Sequence, residues 1–150
     1  MIAKYCPEYS FSKPSTLVAV SGSGNVAQFT ALKIIELGGT VLSLSDSKGA
    51  LIATGGGYTK ADVEAIGALK LKGGSLESLV NEPSFAGRFS YHPGQRPWTL
   101  LPTIHIALPS ATQNEISGDE AEALIKAGCK IVAEGSNMVR PPARCWCYRD

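Results

Sequence analysis

The chain has 150 residues, 44% of them hydrophobic and 18% charged, with a formal net charge of +1. This length and apolar content suit one globular domain with a real core, and exclude a disordered chain or two ordinary domains. The near-zero net charge argues against a general binder of nucleic acid or of membrane surfaces, which would carry a basic excess.

Residues 1–15 contain Lys4, Glu8, Lys13 and two prolines. They have no apolar h-region and read as an irregular leading segment rather than a secretory signal. The longest apolar runs, Leu17–Val20 and Ile104–Leu108, fall well short of the roughly 20 residues that span a bilayer. Of the four cysteines, Cys145 and Cys147 form a single CxC, while Cys6, Cys129, His92 and His105 lie far from it. Reduced thiols in a cytoplasmic protein are expected, and no metal site.

Residues 16–21 (TLVAVS) are a short apolar run bounded by glycine, the pattern of a buried parallel strand. From Asn25 to Leu37 apolar residues recur at spacings of three and four, which predicts a helix stopped by Gly38-Gly39. Thr40–Ser45 reads as the second strand. Residues 46–58 carry two glycine clusters and read as a loop, with a short strand at Ala50–Ala53. Thr59, with Asp62 three residues on, predicts a capping box opening a helix to Leu71.

A short helix is expected at Ser75–Asn81. Arg88–Trp98 is mixed in pattern, with a turn at Pro93-Gly94. Thr103–Leu108 reads as a strand, Ser117–Glu120 as a second capping box for a helix ending at Gly128, and Lys130–Ala133 as a last strand. Strands thus alternate with helices. That order predicts an α/β domain over residues 16–138, Rossmann-like and doubly wound, its mainly parallel sheet covered by helices on both faces. Residues 139–150 lack periodicity and read as an unstructured tail.

Gly22-Ser23-Gly24-Asn25-Val26-Ala27 follows the first strand and opens the first helix. Asp46 stands 22 residues after Gly24, at the end of the second strand. Glycine turn, helix start and acid at about 20 residues' distance form the signature of a dinucleotide site. Gly22 permits the tight turn, Gly24 lets a diphosphate approach the backbone, and the helix N-terminus supplies N–H groups and a positive dipole end. No Gly-Lys-Ser/Thr follows, so a P-loop is excluded. A carboxylate in the place of Asp46 ordinarily accepts from a ribose 2′-OH and favours NAD. Ser47, Lys48 and Lys70 offer a hydroxyl and ammonium groups to a 2′-phosphate, and so favour NADP. From the residues alone both cofactors stay open.

Val18–Gly49 resembles the coenzyme domain of the NADP-dependent glutamate dehydrogenases. The resemblance returns at Arg96-Pro97-Trp98, at Ile106–Glu115 (IALPSATQNE) and at Ala133–Met138 (AEGSNM), and covers residues 16–138. It implies the reversible amination of 2-oxoglutarate to L-glutamate, with hydride exchanged with NADPH. It also implies that Gly22, Ser23, Gly24, Asn25 and Val26 hold the diphosphate. Asp46, Ser47 and Lys70 would lie at the adenosine ribose and its 2′-phosphate, Ala111, Thr112 and Gln113 at the nicotinamide end, and Asn137 at the nicotinamide ribose or carboxamide.

Two positions depart from the family wording: His105 stands for an aspartate and Ser110 for a cysteine. The catalytic lysine and aspartate of the family lie in a separate domain with no counterpart here, and residues 1–15 and 139–150 read as unrelated to the family. The chain is therefore expected to bind a nicotinamide dinucleotide without turning over glutamate alone, another chain supplying the catalytic domain. The alternatives are a non-catalytic NAD(P)-binding module and a truncated gene product.

Overall fold

In a computed structural model, residues 16–135 are described. Six strands form one sheet: β1 (Leu17–Val20), β2 (Thr40–Asp46), β3 (Gly49–Ala53), β4 (Phe89–Pro93), β5 (Ile106–Leu108) and β6 (Ile131–Val132). The helices are α1 (Asn25–Glu36), α2 (Lys60–Leu71) and α3 (Gly118–Lys126), with 3-10 turns at Leu76–Asn81 and Pro97–Thr99. The strand order is β4-β3-β2-β1-β5-β6. β1 pairs in parallel with β2 and with β5, and β5 with β6.

The sheet is covered on both faces, as expected for the doubly wound class. Alternation along β1 sends Val18 and Val20 one way and Ala19 the other. Val18 and Val20 pack with Ala27, Ala31 and Ile34 of α1 and Val63 and Ile66 of α2. Ala27, Ala31 and Ile34 recur every three or four residues, so they form one stripe of α1. On the opposite face Ala19, Ala50 and Ala107 leave room for the fully buried Trp98, which Leu101, Ile104 and Leu124 of α3 enclose.

Both predicted capping boxes are present. The Thr59 hydroxyl accepts from Asp62 N–H, and Ser117 Oγ from Glu120 N–H. Gly38, at φ 91°, ends α1. Its N–H and that of Gly39 donate to the Ile35 and Ile34 carbonyls.

One half of the sheet departs from the simple alternation. β3 runs antiparallel to β2, and β4 antiparallel to β3. Only Ser47 and Lys48 separate β2 from β3, and so short a link can join only antiparallel neighbours. The short strand read at Ala50–Ala53 is therefore the second arm of a hairpin with β2, in register from Asp46 opposite Gly49 to Ser43 opposite Ile52. A side chain at Gly49 would meet the His92 carbonyl and Tyr91, so glycine lets β4 lie close.

β5 is shorter than the strand read at Thr103–Leu108. His105 N–H donates to the Leu17 carbonyl, but Leu17 N–H donates to the imidazole Nδ1 of His105 at 2.9 Å instead of to a backbone carbonyl. The histidine serves as a hydrogen-bond acceptor at the start of β1. His105→Ala is expected to lower stability by about 1 kcal/mol by leaving Leu17 N–H without its acceptor. His105→Asp, which restores an oxygen acceptor, is expected to recover most of it in a urea titration.

Among the described residues no helix is long and apolar enough to cross a membrane. Cys6, Cys145 and Cys147 lie outside those residues, and Cys129 is a free thiol.

Candidate functional site

The sequence turns back on itself at β1: its neighbour β2 comes next in the chain, and its other neighbour β5 comes long after. In open parallel sheets ligands sit at such a switch point, beyond the carboxyl ends of the strands. A cleft of about 500 Å³ opens there. Gly22, Ser23 and Gly24 form its floor, Asp46–Gly49 and Lys70 one end, and Ser110, Ala111, Thr112 and Glu115 the other, with Gly94, Gln95 and Arg96 also lining it.

Serines fix the glycine turn on both sides. Gly22 N–H donates to Ser45 Oγ at 2.9 Å, and Ser45 N–H donates to the Gly22 carbonyl at 3.0 Å. Ser110 N–H donates to Ser21 Oγ at 3.0 Å. Gly22 has φ +85°, and a Cβ there would lie 2.8 Å from the Ser110 carbonyl oxygen. Gly24, by contrast, faces open space, with nothing within 4 Å of a Cβ. It is the N-cap of α1, it offers no side-chain cap, and the first turn carries no acidic residue. The first N–H groups of a helix have no partner within it. This cradle fits a diphosphate: open where Gly24 lacks a Cβ, supplied with backbone donors by the start of α1, and with no acidic side chain in that first turn.

The cleft's other end is built around Asp46, whose side chain is only 7% exposed. Oδ1 accepts from the N–H groups of Lys48 (2.9 Å) and Gly49 (3.2 Å), and from Tyr91 OH at 3.5 Å. Oδ2 accepts from Lys70 Nζ (3.2 Å), Leu76 N–H (3.0 Å) and Ser75 Oγ (3.4 Å). Burial alone would raise the Asp46 pKa. The Leu76 and Lys48 N–H groups and the Lys70 ammonium outweigh it and hold the carboxyl below its usual value. Lys70 also donates to the Gly74 carbonyl. Lys48 lines the cleft with its ammonium in no ion pair among the described residues.

A sequence profile of the Glutamate/Leucine/Phenylalanine/Valine dehydrogenase family matches residues 2–144. The chain belongs to this family. The match is wider than the resemblance read over 16–138, and takes in nearly all of the leading segment and part of the tail, both read as unrelated. The NADP-specific glutamate dehydrogenase of Hebeloma cylindrosporum is 72% identical over 138 residues, 92% of this chain and 30% of that protein. That of Agaricus bisporus is 68% identical over the same shares. In three dimensions the chain is similar to Plasmodium falciparum glutamate dehydrogenase, with a TM-score of 0.80 at 35% identity, covering 91% of this chain and 28% of that one. The chain thus spans about 30% of the length of these relatives.

Within this dehydrogenase-family domain, the cleft gathers eight of the residues expected from sequence: Gly22, Ser23, Gly24, Asp46, Ser47, Lys70, Ala111 and Thr112. Asn25 and Val26 are the first two residues of α1, exposed and outside the cleft lining, as is Gln113. Asn137 lies outside the described residues. Asp46 stands where expected, but its oxygens are turned to protein donors rather than left open for a ribose hydroxyl. Seven lining residues went unassigned in the sequence reading, among them Ser45, which holds Gly22, and the longer polar side chains of Gln95, Arg96 and Glu115. Arg96 and Glu115 belong to the family-like blocks, yet only the antiparallel placement of β4 brings residues 94–96 to the cleft.

Proposed function

We propose that this chain is the coenzyme-binding portion of an NADP-dependent glutamate dehydrogenase, corresponding to the C-terminal coenzyme domain of its relatives. The observation that carries the reading is the cleft itself, with the open glycine cradle at its centre and Ser47, Lys48 and Lys70 at one end. Bound there, the nicotinamide supplies hydride exchange. The chain's own residues bind and orient: Gly22–Gly24 and the start of α1 take the diphosphate, while Ser47, Lys48 and Lys70 take the 2′-phosphate. Ala111 and Thr112 line the nicotinamide end. The internal commitment of Asp46 supports NADP over NAD, because the carboxylate that would repel a 2′-phosphate is already matched by six donors.

Hydride transfer also needs a substrate held against the nicotinamide and a positioned acid–base pair. Those groups are proposed to come from a further polypeptide segment, and the 150-residue chain alone is expected not to oxidise NADPH with 2-oxoglutarate and ammonium. Titration of the purified chain, followed by dihydronicotinamide fluorescence, tests the binding reading. NADPH is expected to bind about tenfold more tightly than NADH, the size of one charge-assisted contact, and Lys70→Gln to remove most of that preference. Equal curves for the two cofactors, or tighter NADH, would refute it.

A further inference from the structure

Two loops on opposite sides of β1 form the ends of the cleft, and one side chain ties them together. The strap at residues 94–96 is anchored to the β2–β3 turn, where Gly94 N–H donates to the Lys48 carbonyl at 2.7 Å. Two residues on, Arg96 Nη1 donates to the backbone carbonyl of Glu115 and pairs with Glu120 Oε2 at 3.2 Å. That same Glu120 oxygen accepts Ser117 N–H at 2.8 Å in the capping box of α3. Glu115 in turn is buried, and its Oε2 accepts Ala111 N–H at 3.4 Å, folding residues 111–115 onto themselves. Asn114 takes the left-handed conformation, φ 52°, inside that loop.

A continuous path therefore runs from Lys48 through Gly94 and Arg96 to Glu115 and Ala111. We infer that Arg96 is a positioning residue that sets the spacing between the adenosine end and the nicotinamide end of the cleft. This rests on the dinucleotide reading above. The physical argument is one of span. A guanidinium presents several donors in a rigid plane, so it fixes both distance and orientation between the groups it joins. A dinucleotide combines two half-site interactions, and their combined strength depends on the two halves being the right distance apart. A ligand that fills only one half does not sense that spacing. Loosening the tie should weaken long ligands and spare short ones.

The test uses the full 150-residue chain and two probes, NADPH and adenosine 2′,5′-bisphosphate, the latter being the adenosine half with its 2′-phosphate. Arg96→Ala is expected to weaken NADPH about tenfold and the bisphosphate less than about twofold, with a smaller rise in dihydronicotinamide fluorescence at saturation. Arg96→Lys, which can keep the pair with Glu120, should recover part of the loss. Glu120→Gln removes the charge of the pair but leaves an amide for the capping box, so it reports on the same tie should Arg96→Ala fold poorly. Equal losses for both probes would make Arg96 a direct adenosine contact and overturn the inference, as would no loss for either. A wild-type chain that binds the bisphosphate but gains nothing from the nicotinamide half also overturns it, while leaving the 2′-phosphate site intact. A wild-type chain that binds neither probe overturns the dinucleotide reading and this inference with it.

Discussion

Gly22→Ala is expected to destabilise the domain by about 3 kcal/mol, from roughly 1–2 kcal/mol of left-handed backbone strain and a similar overpacking term. The strain arises because Gly22 has φ +85°, and the overpacking because a methyl group would sit 2.8 Å from the Ser110 carbonyl oxygen, against backbone that cannot swing aside. Neither wall can give cheaply, since Ser45 grips Gly22 from the β2 side and Ser21 holds Ser110 from the β5 side. Against a typical total stability of about 5–15 kcal/mol, the loss should be plain in the denaturant midpoint.

Gly24→Ala makes the matched comparison. It has room for its methyl group, so its folding cost is expected to stay within about 1 kcal/mol, the scale of a helix N-cap change. Its effect should appear instead as lost NADPH binding. If Gly22→Ala melts like the wild type, the tight turn is not what the geometry says it is. If Gly24→Ala binds NADPH unchanged, the diphosphate does not approach the chain there.

The second large effect is expected at Asp46. Its carboxylate joins the β2–β3 turn, the end of α2 through Lys70, the 3-10 turn through Ser75 and Leu76, and β4 through Tyr91. Asp46→Ala strands those donors and leaves the Lys70 ammonium without its counter-charge, which should cost about 3 kcal/mol. Asp46→Asn keeps one oxygen acceptor and should cost less.

The pH dependence gives an independent check. Asp62 also sits below the usual carboxylate value: burial raises it, but Arg88, which donates from both Nη atoms at 3.0 and 2.7 Å, and the Thr59 cap outweigh that. A carboxylate whose folded pKa is lowered contributes its full stability above the unfolded value, about 3.9, and loses it as pH falls through the folded value. Melting temperature should therefore fall below about pH 4 more steeply in the wild type than in Asp46→Asn or Asp62→Asn. Identical slopes in all three chains would show that neither pair carries the stability assigned to it.

Most of the sheet's parallel half was legible from local patterns. β1, α1 and the caps at Thr59 and Ser117 follow from apolar spacing and side-chain oxygens at helix starts, both short-range signals. The antiparallel half was only partly so: the short strand at Ala50–Ala53 was read, but its direction, dictated by the two-residue link Ser47–Lys48, and the strand Phe89–Pro93 that pairs with it were not. The consequences for the site run through that same gap. Asp46 could be placed at the cleft from its distance to Gly24, but its donors come from positions 70, 75, 76 and 91, and no local pattern announces them. Arg96 was visible only as part of a family-like phrase, since its reach to Glu115 and Glu120 depends on where β4 docks.

The outer strand on that side has a bearing on what else the sheet can join. β4 is five residues long and ends at Pro93, which has no N–H to offer a neighbour, and it carries the hydrogen-bonded Ser90–His92 pair. Short length, a proline and polar side chains are the means by which sheet margins resist pairing with stray strands of other molecules. Among the described residues β4 is a sheet margin, and intermolecular pairing through it is thus disfavoured by its own sequence.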